Sequence, residues 1–310
     1  MSCGESEQAS AEGSESTRPL VDRTLRTRAR KAVDDVRDQA RLIRLGAKAA
    51  DKARLTFFFL TLRGLRIFGR ENRLRRRMLA NGARTWLRQV RIRTPAGSMY
   101  MGDLDTLPLL LPSFEPFASA WINFPSGGTV VDVGAHFGLY TIPASKRVGE
   151  TGRVVAIEPN PYANSFLRKS IALNGARNVT LLTCACWSRN ETMRLYRGVA
   201  SGNNSLVEQG ASRYVTSDYD LVDAMRLDAI LREVGVSHVD WLKIDVEGAE
   251  VEVLHGLGAA ANACRRIMVE VRSRNVRAVK EYARENGFHP IQISAWMEDT
   301  VYLMLIRDCE

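Results

Sequence analysis

The fold is decided by residues 130–141, which read VVDVGAHFGLYT. An apolar, β-branched run leads into a turn with two glycines, and the turn leads into a helical stretch. Glycine lets the backbone turn sharply and leaves room for a ligand, so this turn predicts a ligand-binding loop containing Gly134, His136 and Gly138. Asp132 precedes the loop, where a carboxylate can fix loop amides or meet a positively charged ligand group. The glycine spacing differs from the dinucleotide-binding GxGxxG pattern.

A second predicted strand, residues 154–160 (VVAIEPN), ends with Glu158 and Pro159. A carboxylate there can accept hydrogen bonds from both hydroxyls of a ribose, and proline stops the strand so that the acid projects at the sheet edge. Adenosine-type ligands bind such sheets where the strand order reverses. Ala185, at the end of the third predicted strand, is expected near an adenine. The predicted cofactor-binding residues are Asp132, Gly134, His136, Gly138, Glu158, Pro159 and Ala185.

Strands and helices alternate from residue 128 to the C-terminus. The predicted strands are Thr129–Val133, Arg153–Ile157, Val179–Cys184, Trp241–Ile244 and Ile267–Glu270, followed by a closing antiparallel hairpin of Pro290–Ser294 and Val301–Ile306. The predicted helices run to about Val148, over Pro161–Asn174 and over Val276–Asn286. This alternation predicts an α/β, Rossmann-like, mostly parallel sheet with helices on both faces.

The second dense segment, VDWLKIDVEGAE, ends at Glu250. An apolar strand leaves Asp245 and Glu247 at its end, and Glu270 ends the next predicted strand. Because these are carboxyl ends of neighbouring strands, we expect the three acids to face the ligand cleft. Glu250 and Glu252 are expected on the solvated side of the following helix. Carboxylates gathered at a strand end cost free energy unless water, a cation or a hydrogen-bond donor compensates them.

Together, these segments resemble the FkbM-type methyltransferases, a branch of the class I S-adenosylmethionine-dependent enzymes. The matching strings are VDVGA (131–135), GLYT (138–141), GRVVAIEPNP (152–161), LNG (173–175), RLD (226–228), LKIDVEGAEVEVL (242–254) and VEV (269–271). The resemblance implies a seven-stranded sheet with an antiparallel last strand, S-adenosyl-L-methionine as cofactor, and methylation of a hydroxyl on a sugar, glycan or other natural product. By position, Asp132, Gly134 and Glu158 correspond to cofactor-binding places, whereas His136 stands where such loops more usually carry asparagine.

Methyl transfer to a hydroxyl requires the acceptor to be held close to the methyl group and a base to remove its proton. Asp245, Glu247 and Glu270 are the predicted catalytic residues. They can supply the base, orient the acceptor, or hold a divalent cation that lowers the pKa of the hydroxyl. The sequence leaves these three alternatives open.

The N-terminal part of the chain is far more basic than the rest. Residues 18–93 carry 23 lysines and arginines against 6 acids, a net +17, whereas residues 94–310 carry 21 against 25, a net −4. We predict a disordered polar tail (1–17), a basic helical segment (18–94) and a methyltransferase domain (95–310).

The basic segment has two interpretations. Its helix can pack on the catalytic domain with a solvated basic face, or it can lie on an anionic membrane through residues 41–78. No apolar run reaches the roughly 18 residues that cross a bilayer, and no signal peptide is evident, so we expect no transmembrane segment and a cytoplasmic, membrane-peripheral location. No nucleic-acid partner is expected, because the sequence has no reader motif.

Two further functions stay open. A nicotinamide-dependent oxidoreductase can use a similar fold, but the missing GxGxxG pattern argues against it. A non-catalytic Rossmann-fold binding module, tethered to a membrane or partner by its basic helix, is the other alternative. The presence of Glu158 and Asp245 argues against this second reading.

Overall fold

The computed structural model describes residues 34–64, 88, 90–100, 102, 110–111, 121–198, 204–207, 215–295 and 299–307. The chain divides into two compact units, residues 1–41 and residues 42–310. Residues 34–41, the described part of the first unit, are helical. The predicted disordered tail, residues 1–17, lies outside the described residues.

The second unit alternates strands and helices. Its strands, numbered in chain order, are β1 (Arg91–Thr94), β2 (Gly97–Tyr100), β3 (Thr129–Val133), β4 (Arg153–Ile157), β5 (Val179–Leu182), β6 (Ala185–Trp187), β7 (Glu191–Gly198), β8 (Val215–Arg226), β9 (Trp241–Ile244), β10 (Arg266–Arg272), β11 (His289–Gln292) and β12 (Thr300–Ile306). The α-helices are α1 (Ala49–Gly64), α2 (Thr141–Val148), α3 (Pro161–Leu173), α4 (Leu227–Glu233), α5 (Glu250–Leu257) and α6 (Val276–Glu285). Short 3-10 helices cover Gly258–Ala263 and Ser273–Asn275.

Seven strands form one sheet in the order β11-β12-β10-β9-β3-β4-β5. The neighbours from β10 to β5 are parallel, whereas β12 is antiparallel to both β10 and β11. This confirms the predicted Rossmann-like sheet and its closing hairpin. The chain adds β4 and β5 on one side of β3, and β9 and β10 on the other. We call the carboxyl-terminal edge between β3 and β9 the reversal point, the place where such sheets form a ligand crevice.

The central strands are buried on both faces, as their apolar runs predict. Side chains of β3 alternate between two hydrophobic cores, with Val131 and Val133 in one and Val130 in the other. Helices α4, α5 and α6 contribute to the first core, and α2 contributes to the second. The predicted helical layers on both faces are therefore confirmed.

A second sheet of three strands, in the order β6-β8-β7, was not predicted. The predicted third strand, Val179–Cys184, is two residues shorter than expected, because β5 ends at Leu182; β6 then begins in the second sheet at Ala185. The region interpreted as an insertion, residues 196–220, contains the end of β7 and the start of β8. These two strands pair antiparallel across a long connection, so no tight-turn signal marks them as a hairpin.

The basic segment contributes α1 and the hairpin of β1 and β2. Leu55, Phe58 and Phe59 of α1 pack in a small core with Ile92 of β1. The predicted domain boundary after Thr94 falls in the turn of this hairpin, and the division into functional domains stays a prediction.

Across the described ranges, no helix is both long enough and apolar enough to cross a membrane. Residues 65–87, which include part of the segment predicted to contact an anionic membrane, lie outside the described residues.

Candidate active site

Two loops meet at the reversal point. We call residues 134–140 the glycine loop and residues 245–249 the acid loop. Gly134 has φ 78°, and a Cβ atom there would lie 1.8 Å from the carbonyl oxygen of Asp245. The Asp245 N–H also donates to the carbonyl oxygen of Val133 at 3.0 Å. The two loops touch through backbone atoms, so only glycine fits at position 134.

Asp132 is buried at the end of β3, in register with Lys243 of β9. Thr141 Oγ1 donates to its Oδ2 at 2.6 Å, while Oδ1 has no hydrogen-bond partner among the described residues. Burial raises the pKa of Asp132, although Lys243 and Thr141 oppose this effect. A buried carboxylate oxygen without a donor costs free energy, so this position suits a cationic or hydrogen-bond-donating ligand group.

Lys243 is a site residue whose role the sequence reasoning missed. Its side chain is buried, and Nζ donates to Asp245 Oδ2 at 2.9 Å. The ammonium also lies 4.4 Å from the ring centroid of Tyr140, in a cation–π contact. A lysine inside an otherwise apolar buried strand was the available signal, because a buried lysine is almost always paired.

Glu158 is buried at the end of β4 and is held by two backbone N–H groups. His136 N donates to Oε2 at 2.7 Å, and Asn160 N donates to Oε1 at 2.8 Å. Burial raises the pKa of Glu158 to about 7 despite these two donors. Pro159 is half-buried, and Asn160 Oδ1 caps α3 by accepting from Tyr162 N at 2.9 Å. The carboxylate of Glu158 is thereby fixed between the backbone of the glycine loop and the start of α3.

His136 adopts a left-handed conformation, with φ 48°. Asparagine and histidine are both enriched in this region, which gives a physical reason why histidine serves where related loops carry asparagine. The imidazole lies against Phe137, with 3.9 Å between ring centroids. Gly138 has φ 97°, and a Cβ atom there would come within 2.7 Å of Leu167 Cδ1. Both residues shape the loop through the backbone.

Glu247 lies in the acid loop with φ 50°. Its carboxylate accepts a hydrogen bond from the guanidinium of Arg272, and its carbonyl oxygen accepts from Ser205 Oγ at 2.8 Å. Burial and the neighbouring charge of Asp245 raise the pKa of Glu247 to about 7, and Arg272 only partly offsets them. The loop is therefore clamped by β10 and by the short described segment of residues 204–207.

The burial of Glu250 shows that one sequence prediction is wrong. It was expected on the solvated side of α5, but its side chain is fully buried. Its Oε1 accepts from Gly248 N at 2.7 Å, and its Oε2 accepts from Asn275 Nδ2. The acid closes the start of the helix inside the protein, where the nearby Gly248 N–H and the side-chain amide of Asn275, 25 residues away, satisfy its carboxylate oxygens. Glu252 is half-buried.

Glu270 lies on β10, opposite Tyr302 of β12 in the antiparallel register. Tyr302 Oη donates to Glu270 Oε2 at 2.6 Å. Burial raises the pKa of Glu270 well above its ordinary value, and the charges of Asp245 and Glu247 add to that effect. Burial therefore favours the neutral form of Glu270 over its ionised form.

The predicted acids form one electrostatically linked group, which we call the acid cluster. Its members are Asp132, Glu158, Asp245, Glu247, Glu250 and Glu270. Lys243 and Arg272 interact with the cluster from β9 and β10. Carboxyl groups outnumber these two cations, so the cluster offers hydrogen-bond acceptors to a ligand that carries donors.

No group of three or more histidine, cysteine, aspartate or glutamate side chains in the described part of the chain is arranged to hold a metal ion. The acids use protein donors instead, among them Lys243, Arg272 and Tyr302. The divalent cation left open by the sequence thus gains no support.

Ala185 belongs to a different sheet from the strands that carry the other predicted cofactor residues. It belongs to β6 of the three-stranded sheet, and its buried side chain packs in a cluster with Leu195 and Val222. Its predicted place near an adenine stays a prediction.

Comparison with known proteins finds a matching protein family and several relatives. The methyltransferase FkbM domain matches residues 132–302, more than half of the chain. Methyltransferase sdnD of Sordaria araneosa is 33% identical over 162 residues, covering 44% of this chain and 62% of that protein. Methyltransferase 1 of Beauveria bassiana is 27% identical over 150 residues, covering 43% and 60%. The chain thus matches less than two thirds of the length of either relative.

Among solved structures, methyltransferase FkbM from Methylobacillus flagellatus KT is 15% identical with a TM-score of 0.46, covering 89% of this chain and 60% of that chain. Aeropyrum pernix fibrillarin with bound S-adenosyl-L-methionine is 13% identical with a TM-score of 0.39, covering 60% and 69%. The domain match extends from Asp132 on β3 to Tyr302 on β12 and so includes the glycine loop, the acid loop and β10. The chain therefore belongs to the FkbM methyltransferase family.

Proposed function

We propose that this protein is an S-adenosyl-L-methionine-dependent methyltransferase that methylates a hydroxyl group of a sugar, glycan or other natural product. The observation that carries the proposal is the acid cluster at the reversal point, where the carboxyl ends of β3, β4, β9 and β10 bring six carboxyl groups together. Family membership supports the reaction class.

The described residues fit the proposed cofactor. When bound, S-adenosyl-L-methionine supplies an electrophilic methyl group on a positively charged sulfur. Each oxygen of Glu158 accepts one backbone N–H and keeps capacity for one more donor, so the carboxylate can accept a pair of ribose hydroxyls. Asp132 can accept a further donor through Oδ1. The proposed cofactor residues are Asp132, Gly134, His136, Gly138, Glu158, Pro159 and Ala185.

Among the three proposed catalytic acids, Asp245 is the best candidate for the base. Its side chain is 29% exposed, against 17% for Glu247, so an acceptor can reach it more easily. The ammonium of Lys243 donates a hydrogen bond to its Oδ2 and so orients the carboxylate. Burial favours the neutral form of Glu270, which can donate a hydrogen bond, so we do not assign it the role of base.

The proposed role of Glu247 is to orient the acceptor. The guanidinium of Arg272 and the hydroxyl of Ser205 fix its carboxylate and its carbonyl group. We assign to Glu247 the orientation of the acceptor, with Ser205 and its neighbours forming part of the acceptor pocket. Proximity and orientation of the reacting groups account for a large share of the rate in such displacements.

The names of relatives are compatible with a natural-product acceptor. One matching protein of Pseudomonas aeruginosa is the AMB antimetabolite synthetase AmbE, which is 28% identical over 227 residues, covering 60% of this chain and 11% of that protein. Its printed name is that of an antimetabolite synthetase, which is compatible with the natural-product acceptor that we propose for this chain.

The proposal is tested by incubating the purified chain with methyl-labelled cofactor and small-molecule or glycan extracts. We expect labelled products whose mass exceeds that of the acceptor by one methyl group, and no product from the Asp245→Asn variant. Cofactor binding without any labelled product across extracts would favour the non-catalytic binding module. Absence of cofactor binding in calorimetry would refute the proposal.

A further inference from the structure

A residue that precedes the matched family domain touches the glycine loop. The domain match begins at residue 132, whereas Gly102 lies just after β2. The main chain of Gly102 lies against the ring of Phe137, and a Cβ atom at residue 102 would be 2.2 Å from Cζ of that ring. The φ of Gly102 is outside the left-handed region, so the backbone conformation does not itself require glycine. The close approach to Phe137 is therefore what restricts this position to glycine.

The ring of Phe137 has little room to move away from residue 102. Its side chain is buried, and it packs edge-to-face against Tyr162 and Phe166, with ring centroids 6.2 Å and 5.6 Å away. Tyr100 of β2 packs against the same cluster. Because such packing leaves no free space, a side chain at residue 102 would displace the ring together with its backbone.

The chain at residue 102 is also held in place. Tyr162 Oη donates to the carbonyl oxygen of Gly102 at 2.5 Å. Two residues earlier, Tyr100 N donates to Ser170 Oγ at 3.0 Å. Tyr162 and Ser170 both belong to α3, so β2 and Gly102 are fastened to this helix at two points. The contact between Gly102 and Phe137 therefore has two fixed sides.

The backbone of the glycine loop connects this contact to Glu158. The residue before Phe137 is His136, whose N–H donates to Glu158 Oε2 at 2.7 Å. The imidazole of His136 also lies against the ring of Phe137. A displacement of Phe137 would therefore move the N–H that holds Glu158, the carboxylate proposed to accept the ribose hydroxyls.

We infer that Gly102 is a positioning residue for the cofactor: its main chain holds Phe137 in place and so keeps the glycine loop in the shape that orients Glu158. The cofactor site then depends on a residue outside the matched family domain. The identity of the ligand rests on the proposed function, whereas the effect on the loop can be measured without any ligand.

The test compares the full chain with Gly102→Ala, with Phe137→Leu and with the double variant that carries both changes. Leucine lacks the outer ring atoms that an added Cβ atom would meet, so the double variant regains the space. We expect Gly102→Ala to weaken S-adenosyl-L-methionine binding about tenfold in calorimetry, and to raise KM for the cofactor while kcat stays close to that of the wild type. In the Phe137→Leu background, the same change should alter the affinity less than about twofold.

Hydrogen exchange of the His136 amide, followed by NMR in the ligand-free chain, is the second readout. Gly102→Ala should speed exchange at His136 more than at the amides of β4, because the change is local to the loop. The matched control is Gly64→Ala. Gly64 also has a φ outside the left-handed region, but a Cβ atom there meets nothing within 4 Å. This control should match the wild type in both affinity and exchange.

If Gly102→Ala does not fold, Tyr162→Phe replaces it, because that change removes the hydrogen bond to the Gly102 carbonyl without adding an atom to the contact. We expect smaller losses of the same kind. Wild-type exchange at His136 together with wild-type affinity in the tested variant would overturn the inference, and so would a double variant that loses as much affinity as Gly102→Ala. A wild-type chain that does not bind the cofactor would refute the proposed function, and exchange at His136 would then decide whether Gly102 positions the loop.

Discussion

The proposed site has two halves, a cofactor half and an acceptor half, which hold Glu158 in the first and Glu247 and Glu270 in the second by different means. In the cofactor half, at the ends of β3 and β4, Glu158 is held by backbone N–H groups of neighbouring residues. In the acceptor half, at the ends of β9 and β10, side chains do this work. Arg272 pairs with Glu247, and Tyr302 donates to Glu270.

This difference has a chemical consequence under the proposed function. Backbone donors are present whatever the side chain, so Glu158 keeps its hydrogen bonds as long as the loop keeps its shape. Side-chain donors can be changed by single substitutions, so the acceptor half can be altered without disturbing the cofactor half. We therefore expect backbone substitutions to break the first half and side-chain substitutions to alter the second.

The largest expected effect is on the shape of the glycine loop. Gly134→Ala forces a Cβ atom against the carbonyl oxygen of Asp245, at 1.8 Å without adjustment. We expect a loss of more than about 4 kcal/mol in the free energy of unfolding, or failure to fold, because neither backbone can move without displacing a central strand. Urea denaturation followed by circular dichroism measures this loss.

The matched control is Gly149→Ala. Gly149 has φ 72°, close to the 78° of Gly134, but a Cβ atom there meets nothing within 4 Å. Its φ of 72° and ψ of −171° lie in a region that essentially only glycine occupies, so this variant carries the conformational strain alone, on the order of 1–3 kcal/mol. Equal losses in the two variants would show that the contact between the loops is not as tight as described.

The next largest expected effect is the loss of turnover when Asp245, in the acceptor half, is substituted. We expect Asp245→Asn to lower turnover roughly 10²–10⁴-fold, because an amide cannot remove the proton of a hydroxyl. The dissociation constant of S-adenosyl-L-methionine should change far less. Labelled-methyl transfer measures turnover, and calorimetry measures the affinity for S-adenosyl-L-methionine. An equal loss in both would assign Asp245 to cofactor binding and not to the acceptor half.

Both halves should contribute to the pH dependence of stability. Burial raises the pKa of Glu158 and of Glu247 to about 7, from an ordinary 4.5. The folded chain then binds these protons more tightly than the unfolded chain, so the free energy of unfolding falls as pH rises from about 4.5 to about 7. We expect Glu158→Gln and Glu247→Gln each to reduce this fall by roughly 1–3 kcal/mol.

Urea denaturation at several pH values across this window is the measurement. If only Glu158→Gln flattens the curve of unfolding free energy against pH, Glu247 is more exposed to water than its described packing against Arg272 implies. A wild-type curve that rises over the same window would contradict the burial of both acids.

The same difference between the halves explains what the sequence could predict. Asp132 and Glu158 were identified from local signals, an apolar strand followed by a glycine turn or by proline. The burial of Glu250 was not predictable, because its partner Asn275 lies 25 residues away on another element. Tyr302 reaches Glu270 only through the register of β10 and β12, which no local pattern specifies.

The seven-stranded sheet was predictable for the same reason, since its strands are short apolar runs bounded by turns and helices. The three-stranded sheet was not, because β6 continues closely after β5, and β7 and β8 pair across a long connection. Local periodicity predicts elements well, whereas pairing across a long chain separation depends on packing that the periodicity does not encode.

The central claim is that Glu158 opens onto the space that takes the adenosyl ligand. Calorimetric titration of S-adenosyl-L-methionine tests it directly. The variant Glu158→Ala is compared with the control Glu191→Ala, which removes the ion pair between Glu191 of β7 and the exposed Arg189. We predict that Glu158→Ala weakens binding by about 1–3 kcal/mol through the loss of an acceptor for two hydroxyls, and that the control binds like the wild type. Wild-type affinity in Glu158→Ala would contradict the account.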